Sequence, residues 1–273
     1  MQWQGKVAVN TGAGGVLCSE IAKEYAKAGA SVALLDINLQ AAQKAAEEIN
    51  AAGGRAKAYK ADCLSKSSLE EAHKAILSDM GKCDLLINGA GGNSPKGTAT
   101  KDVHAEMGEG DVSFFDLAAE GVDFVFRLNF LSAFLTTQVF AGDMIGRAGN
   151  IVNISSMNAY RPLTRIPAYS GAKASISNFT QWLAVYFAKS GIRVNAIAPG
   201  FFVTNQNRGL LFDKNGEPTA RTRKILAGTP MGRFGEASEI MGALEWLTDN
   251  DKASFVTGIV IPIDGGFSAY SGV

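Results

Sequence analysis

The sequence predicts an α/β fold, a parallel sheet of about seven strands with helices on both faces. Short β-branched runs alternate with helical patterns from one end to the other, and that alternation implies parallel strands joined by right-handed crossovers. Runs such as VALL (32–35) and IVNI (151–154) are apolar on both faces, as strands covered by helices on each side must be. Hydrophobic residues make up 47% of the 273 residues and charged residues 19%, enough to bury a substantial core.

The elements follow in order. A strand over Lys6–Asn10 leads through a glycine turn to a helix over Ser19–Ala28, where Ile21 and Tyr25 lie four apart. A strand over Ser31–Leu35 precedes an Ala- and Glu-rich helix, Leu39–Ala52, that stops at Gly53-Gly54. The same logic gives strands at Arg55–Lys60, Leu85–Asn88, Asn150–Ser155, Arg193–Ala198 and Ile259–Pro262. Helices are expected at Leu69–Met80, Leu131–Arg147, Ala168–Ser190 and Ala237–Leu247. Two long connections interrupt the rhythm, at 93–123 and 201–230. Both follow the C-terminal ends of strands, where open α/β sheets bind ligands, so both are expected to carry substrate contacts. No repeat, low-complexity segment or linker appears, and one domain over residues 1–273 is expected.

Composition excludes several classes. Lys+Arg and Asp+Glu are 26 each, so a nucleic-acid or anionic-membrane partner is disfavoured. No uncharged apolar window of about 18 residues occurs, and no membrane span is expected. The N-terminal MQWQGKVAV lacks the pattern of a secretion signal. Cys18, Cys63 and Cys83 form no C-x-x-C pair, and with only His73 and His104 besides, no metal site is expected. Reduced thiols in a cytoplasmic protein are the plain reading.

The turn after the first strand reads NTGAGGVLC. A common nucleotide fingerprint, G-x-x-x-G-x-G, would place glycines where Val16 and Cys18 stand. Gly12, Gly14 and Gly15 remain and allow close backbone approach at a helix N-terminus, which suits a pyrophosphate. The reading is a shifted turn whose N–H groups near Val16 and Leu17 meet the phosphates. Asp36 ends the second strand, where a carboxylate accepts from ribose hydroxyls and repels a 2′-phosphate, favouring NAD over NADP. Tyr169 and Lys173 lie four apart on one face of a predicted helix, with Ser156 just past a strand. A phenol near an ammonium can exchange a proton with a substrate oxygen that a serine hydroxyl holds.

These features, with TGAGG (11–15), Asp62, INGAG (87–91), Asn129, NISS (153–156), YSGAK (169–173), RVNAIAPG (193–200), Thr204 and TG-x-x-x-PIDGG (257–266), resemble the short-chain dehydrogenase/reductase family over essentially the whole chain. The resemblance implies a Rossmann-type, doubly wound fold with a seven-stranded parallel sheet, often assembled as a homotetramer. It implies that Tyr169 is the general acid/base, that Lys173 lowers its pKa and binds the nicotinamide ribose, that Ser156 orients the carbonyl and that Asn129 positions a relay water. Asp62 and Cys63 would meet the adenine. Asn88, Ala90 and Gly91 would line the adenosine side, and Pro199, Gly200 and Thr204 would hold the nicotinamide amide. Asn10 departs from the family's apolar residue at a buried position, and a backbone partner is expected for its amide. Gly89, in place of the usual second Asn, is expected to leave room nearby.

Within the family, GGVLC, the loop with FFDL (114–117) and FFVTNQNR-x-LL (201–211) resemble the group of D-mannonate oxidoreductases, also called fructuronate reductases. That resemblance implies NADH-linked reduction of the keto sugar acid D-fructuronate to D-mannonate. Asn93, Asn158, Arg165, Asn205, Gln206 and Arg208 are the candidate substrate residues, with Arg165 for the carboxylate and Asn158 for a hydroxyl. His104 is expected to be solvated, Phe114 and Phe115 to pack the loop down, and Cys18 to be a buried packing residue. Another polyol or sugar-acid dehydrogenase of the gluconate 5-dehydrogenase type, or a non-catalytic NAD-binding sensor, are the competing readings.

Overall fold

A computed structural model describes residues 3–203 and 208–272. Its strands are β1 (Val7–Thr11), β2 (Ser31–Asp36), β3 (Arg55–Lys60), β4 (Leu85–Asn88), β5 (Asn150–Ile154), β6 (Arg193–Pro199) and β7 (Val260–Ile263). The helices are α1 (Val16–Lys27), α2 (Leu39–Ala51), α3 (Lys66–Asp79), α4 (Ala119–Phe126), α5 (Ser132–Phe140), α6 (Pro167–Phe187), α7 (Arg208–Leu211), α8 (Ala220–Ala227) and α9 (Met241–Thr248). The sheet runs β3-β2-β1-β4-β5-β6-β7 with every neighbouring pair parallel, the Rossmann-type doubly wound order. The order reverses between β1 and β4, and a crevice at such a point is where these sheets bind ligands.

Alternation along the strands explains why both faces are covered. Ala8, Val32 and Leu34 point into a core shared with Ile21 and Tyr25 of α1, Ala42 and Ile49 of α2, and Leu244 of α9. Val7, Val9, Ala33 and Leu35 point the other way, onto Leu69 and Ile76 of α3, Phe140 of α5 and Leu183 of α6. A strand with period two and apolar residues at every position must be sandwiched between helices.

Seven strands stand within two residues of their expected places. The region after β4 differs more. A helix already begins at Ala119, passes through one π turn at Arg127–Leu131 and continues as α5. The first long connection is therefore 93–118, not 93–123. Gly121 and Asp123 read as loop residues, yet Gly121 is there because a Cβ would lie 2.6 Å from Lys96 Cβ and 2.7 Å from its backbone carbon. The stretch Ala119–Met144 is long and apolar enough to cross a membrane by length and composition, but Val125, Phe140 and Met144 are fully buried in the fold. The second connection contains the short helix α7 and, after it, α8, whose N-cap Thr219 accepts from Thr222 N at 3.2 Å.

Phe114 and Phe115 correct another expectation. They are 71% and 80% exposed and do not pack the loop down. They sit on a 3-10 turn closed by the Ser113 and Asp116 side chains, which hold the backbone there.

Candidate active site

Among the described residues, three helices begin with a side-chain cap: Asn38 for α2, Ser65 for α3 and Thr219 for α8. α1 has none. Its N-cap is Gly15, which offers no side-chain acceptor. The N–H of Ser19 reaches Gly15 O at 2.8 Å, so the N–H groups of Val16, Leu17 and Cys18 are the orphans of the first turn. Gly12 carries φ 64°, and a Cβ there would come to 3.0 Å of the Ala90 backbone, so only glycine lets the turn lie against the end of β4. Thr11 pins that approach by accepting from Gly89 N at 3.0 Å and Ala90 N at 3.2 Å. Asp36 accepts from Gly14 N at 2.9 Å through one oxygen and from Asn38 N at 2.8 Å through the other. The turn and the acidic strand end are thus one braced unit.

Asn10 donates to Cys18 O at 2.6 Å, the backbone partner expected for it, while its Oδ1 has no partner. Gly89 explains the neighbouring Cys18. A Cβ at Gly89 would lie 2.2 Å from Cys18 Sγ, so the thiol fills the space that a side chain at 89 would need. Gly89 leaves that room, and Cys18 takes it. Burial pushes the Cys18 thiol up to about 12, and the Cys63 thiol up to about 11, so neither is a thiolate at neutral pH.

Asn88 donates to Thr137 at 3.0 Å and to Asn153 at 2.8 Å, and Asn153 donates on to Thr180 at 2.9 Å. This buried chain ties β4 and β5 to α5 and α6, so the Asn88 amide protons are spent on the core, while its buried Oδ1 has no partner. Asp62 accepts from Leu64 N at 2.8 Å and holds the turn before α3. Gly200 donates to Ile263 O at 2.9 Å, and a Cβ there would meet Asp264 at 2.6 Å, so Pro199-Gly200 lies tight against the end of β7.

Ser156, Tyr169, Lys173 and Asn129 converge beyond β5. The Ser156 hydroxyl lies on the side of the Tyr169 phenol and favours its charged form. Lys173, 4% exposed, donates to Ile154 O at 2.8 Å and stands 5.6 Å from the Tyr169 ring centroid. Burial lowers the Lys173 ammonium from 10.5 to about 8, opposed by the nearby Cys18. Burial raises the Tyr169 phenol above its ordinary 10.0, and the Ser156 hydroxyl opposes it. The depression of Tyr169 expected from Lys173 is not found, because the ammonium faces the ring and the Ile154 carbonyl rather than the hydroxyl. Asn129 sits in the π turn and donates to Gly92 O at 2.7 Å and Val125 O at 2.8 Å, while its Oδ1 accepts from Gly92 N at 3.2 Å. Both amide protons are spent on backbone, so a relay role falls to Oδ1 or the main chain. A Cβ on Gly91 would lie 2.6 Å from Asn129 Oδ1 and 3.2 Å from Lys173 Nζ, which is why the chain has no side chain there.

The matching family model is that of the short chain dehydrogenases, over residues 6–214. The chain belongs to the short-chain dehydrogenase/reductase family. An uncharacterized oxidoreductase of Haemophilus influenzae is 60% identical over 272 residues, covering 99% of this chain and 95% of its own. A solved structure of a Haemophilus influenza protein, provisionally assigned as a D-mannonate oxidoreductase and holding NAD, matches with TM-score 0.96 at 59% identity, covering 99% and 97% of the two chains. The 7alpha-hydroxysteroid dehydrogenase of Escherichia coli (strain K12) is 32% identical over 97% of this chain and 95% of its own. Membership makes the chain an oxidoreductase and leaves its substrate open, since relatives of such different substrates share the fold.

The substrate candidates are scattered more widely. Asn158 is 4% exposed, its N–H donates to Ser156 Oγ at 3.3 Å, and its Oδ1 has no partner. Asn93 donates to Thr98 at 3.0 Å inside its own loop. Arg208 is exposed on α7 and stacks over Phe212, 5.7 Å from the ring centroid. Thr204, Asn205 and Gln206 lie outside the described residues. Arg165 Nε donates to Asp102 at 2.6 Å, and Lys224 Nζ donates to the other oxygen of Asp102 at 2.9 Å. The residues Asp102, Arg221 and Lys224, absent from the sequence reading, join Arg165, Phe201 and Phe267 in lining a cleft of about 350 Å³. No spacing in the sequence signals them, because Asp102, Arg165 and the α8 pair come from three separate segments. His104 is exposed, as expected, with its ring 5.9 Å from that of Phe115. Among the described residues, no group of three or more His, Cys, Asp or Glu is placed to hold a metal ion.

Proposed function

We propose that this chain is an NAD(H)-dependent oxidoreductase that interconverts a keto sugar acid and its alcohol, D-fructuronate and D-mannonate. The cofactor reading rests on the uncapped start of α1, with three unpaired N–H groups beside a glycine cradle that a Cβ would fill. Gly12, Gly14, Gly15, Val16 and Leu17 hold the pyrophosphate, Asp36 the adenosine ribose, and Asp62 and Cys63 the adenine. Ala90 and Gly91, with the Asn88 backbone, line the adenosine side, and Tyr169, Lys173, Pro199, Gly200 and Thr204 serve the nicotinamide end. The bound nicotinamide supplies the hydride.

The chain's own groups manage the proton. Tyr169 donates its phenolic proton to the carbonyl oxygen as that oxygen gains charge, and Ser156 holds the oxygen in place. Lys173 places positive charge beside the tyrosinate that this leaves. Asn129 braces residues 91–92 against the helix, keeping open the gap into which Lys173 reaches.

One observation carries the substrate class. The cleft lined by Arg165, four residues before Tyr169 in the sequence, also holds Arg221 and Lys224 against a single acid, Asp102, so it is net cationic and suits a carboxylate. Asn158, with its unpaired buried oxygen, is the candidate acceptor for a substrate hydroxyl. Free, buried Cys18, Cys63 and Cys83 accord with a reducing, cytoplasmic setting. An assay of NADH oxidation with D-fructuronate tests the reading. Turnover of other keto sugar acids alone moves the assignment to the gluconate-type alternative. Turnover of neutral ketones alone removes the acidic substrate and leaves the family chemistry. NAD binding without any turnover favours the sensor reading.

A further inference from the structure

We propose that Asp102 is a clasp that closes both long connections over the site together, making it a positioning residue for the reaction. The proposal rests on reading 93–118 and 201–230 as substrate loops. One carboxylate joins three segments. Asp102 belongs to the first connection, Thr164 and Arg165 to the entry of the catalytic helix α6, and Lys224 to α8 in the second connection. Thr164 Oγ1 and Arg165 Nε both donate to Oδ1, at 3.0 and 2.6 Å, and Lys224 Nζ donates to Oδ2 at 2.9 Å. The carboxyl is held well below the usual carboxylate range by Lys224, Arg165 and Thr164, in that order.

Arg165 is shaped for this task. It carries φ 73°, a left-handed backbone that a side chain adopts only when its surroundings impose it. In that conformation its carbonyl accepts from Ala99 N at 2.8 Å while its guanidinium meets Asp102, so a single residue grips the first connection twice. Pro167 follows two residues later as the first residue of α6, and Tyr169 two residues after that. The grip is therefore built into the start of the helix that carries the catalytic pair.

The two arms differ in strength, and that gives the clasp an order of opening. The Arg165 arm has two donors to one oxygen and the extra backbone bond. The Lys224 side chain is 74% exposed, so its arm is screened by solvent and salt and lets go first. α8 then lifts while 98–118 stays held. Loss of Asp102 itself frees both segments.

Hydrogen exchange tests this without any substrate. In Asp102→Asn, peptides covering 98–118 and 219–227 should both exchange faster, by roughly threefold to tenfold, the range one or two exposed ion pairs supply. In Lys224→Met only 219–227 should change. Raising salt from about 0.05 to about 0.5 M should speed 219–227 in the wild type and change neither peptide in Asp102→Asn. Asp102→Glu should restore part of the protection. Peptides from β4 and β5 report the fold and should not move. With a keto sugar acid, the loosened loops should outweigh the lost negative charge, so that Asp102→Asn raises KM with kcat changed less. Unchanged exchange in either peptide of Asp102→Asn overturns the clasp. So does faster exchange of both peptides in Lys224→Met, or loss of protection in β4 and β5 as well, which would mark a merely structural residue. If keto sugar acids are not turned over, the exchange pattern still decides the clasp and only the substrate reading falls.

Discussion

At the scale of single residues, two buried groups carry costs that the fold absorbs for function. Lys173 is held at about 8 instead of 10.5, chiefly by burial. Below about pH 8 the ammonium is charged in both folded and unfolded chains, and its burial cost is fully present. Between about 8 and 10.5 the folded chain sheds the proton first, so the cost fades as pH rises. Lys173→Met should therefore stabilise the cofactor-free protein at pH 7, by an upper bound of roughly 3 kcal/mol, with the gain shrinking toward pH 10. Urea melts at the two pH values check it; an equal effect at both would mean that packing, not charge, is at issue. Cys18 and Gly89 are the second case. Gly89→Ala should destabilise by about 1–3 kcal/mol through its clashes with the Cys18 thiol and the Thr11 carbonyl, and Cys18→Ala should recover the part of that loss owed to the thiol. A double-mutant cycle measures the coupling, and simple additivity would show that the two positions do not share space. The sequence marked Asn10 and Gly89 as departures, but only side-chain positions explained why they coexist with Cys18.

At the scale of elements, the turn between β1 and α1 shows what replaces a lost fingerprint. Val16 and Cys18 fall inside the helix, where a side chain packs, while Gly12 and Gly14 stand where backbone and carboxylate approach. Asp36 braces Gly14 as well as closing β2, so it shapes the site and charges it. Asp36→Ser should lower the preference for NADH over NADPH by about tenfold or more, read as the ratio of kcat/KM values. An unchanged ratio would mean that the carboxylate serves only the turn. The helix of 119–144 was the element least legible from sequence. Its first turn contains Gly121 and Asp123, poor helix formers, and tertiary packing against Lys96 and Gly97 overrides propensity there. The π turn around Asn129 was also hidden, since it forms where the Asn129 amide is bonded both to Val125 O and to residue 92.

At the scale of the molecule, α6 leaves an aromatic patch exposed. Trp182, Val185 and Tyr186 are 56%, 81% and 65% exposed, with Trp182 stacked on Tyr186. Monomers seldom leave such a patch in water. The homotetramer that the family resemblance implies would cover it, and Trp182→Glu should shift the mass seen by light scattering to smaller species. A wild-type monomer at micromolar concentration would remove that expectation.

The sequence by itself determined the parallel sheet, because a β-branched run apolar at every position can only be buried between helices. It also determined that Tyr169 and Lys173 stand on one helix face, because residues four apart do so whatever surrounds them. It could not determine which cations meet an acid. Arg165 was named as a free partner for a substrate carboxylate, and the fold shows it already paired with Asp102, with Lys224 on the other oxygen. Residues 102, 165 and 224 are brought together only by the crossing of loops over the sheet's C-terminal end. Local spacing is carried by the backbone's own periodicity, whereas contacts between distant segments depend on how the whole chain closes.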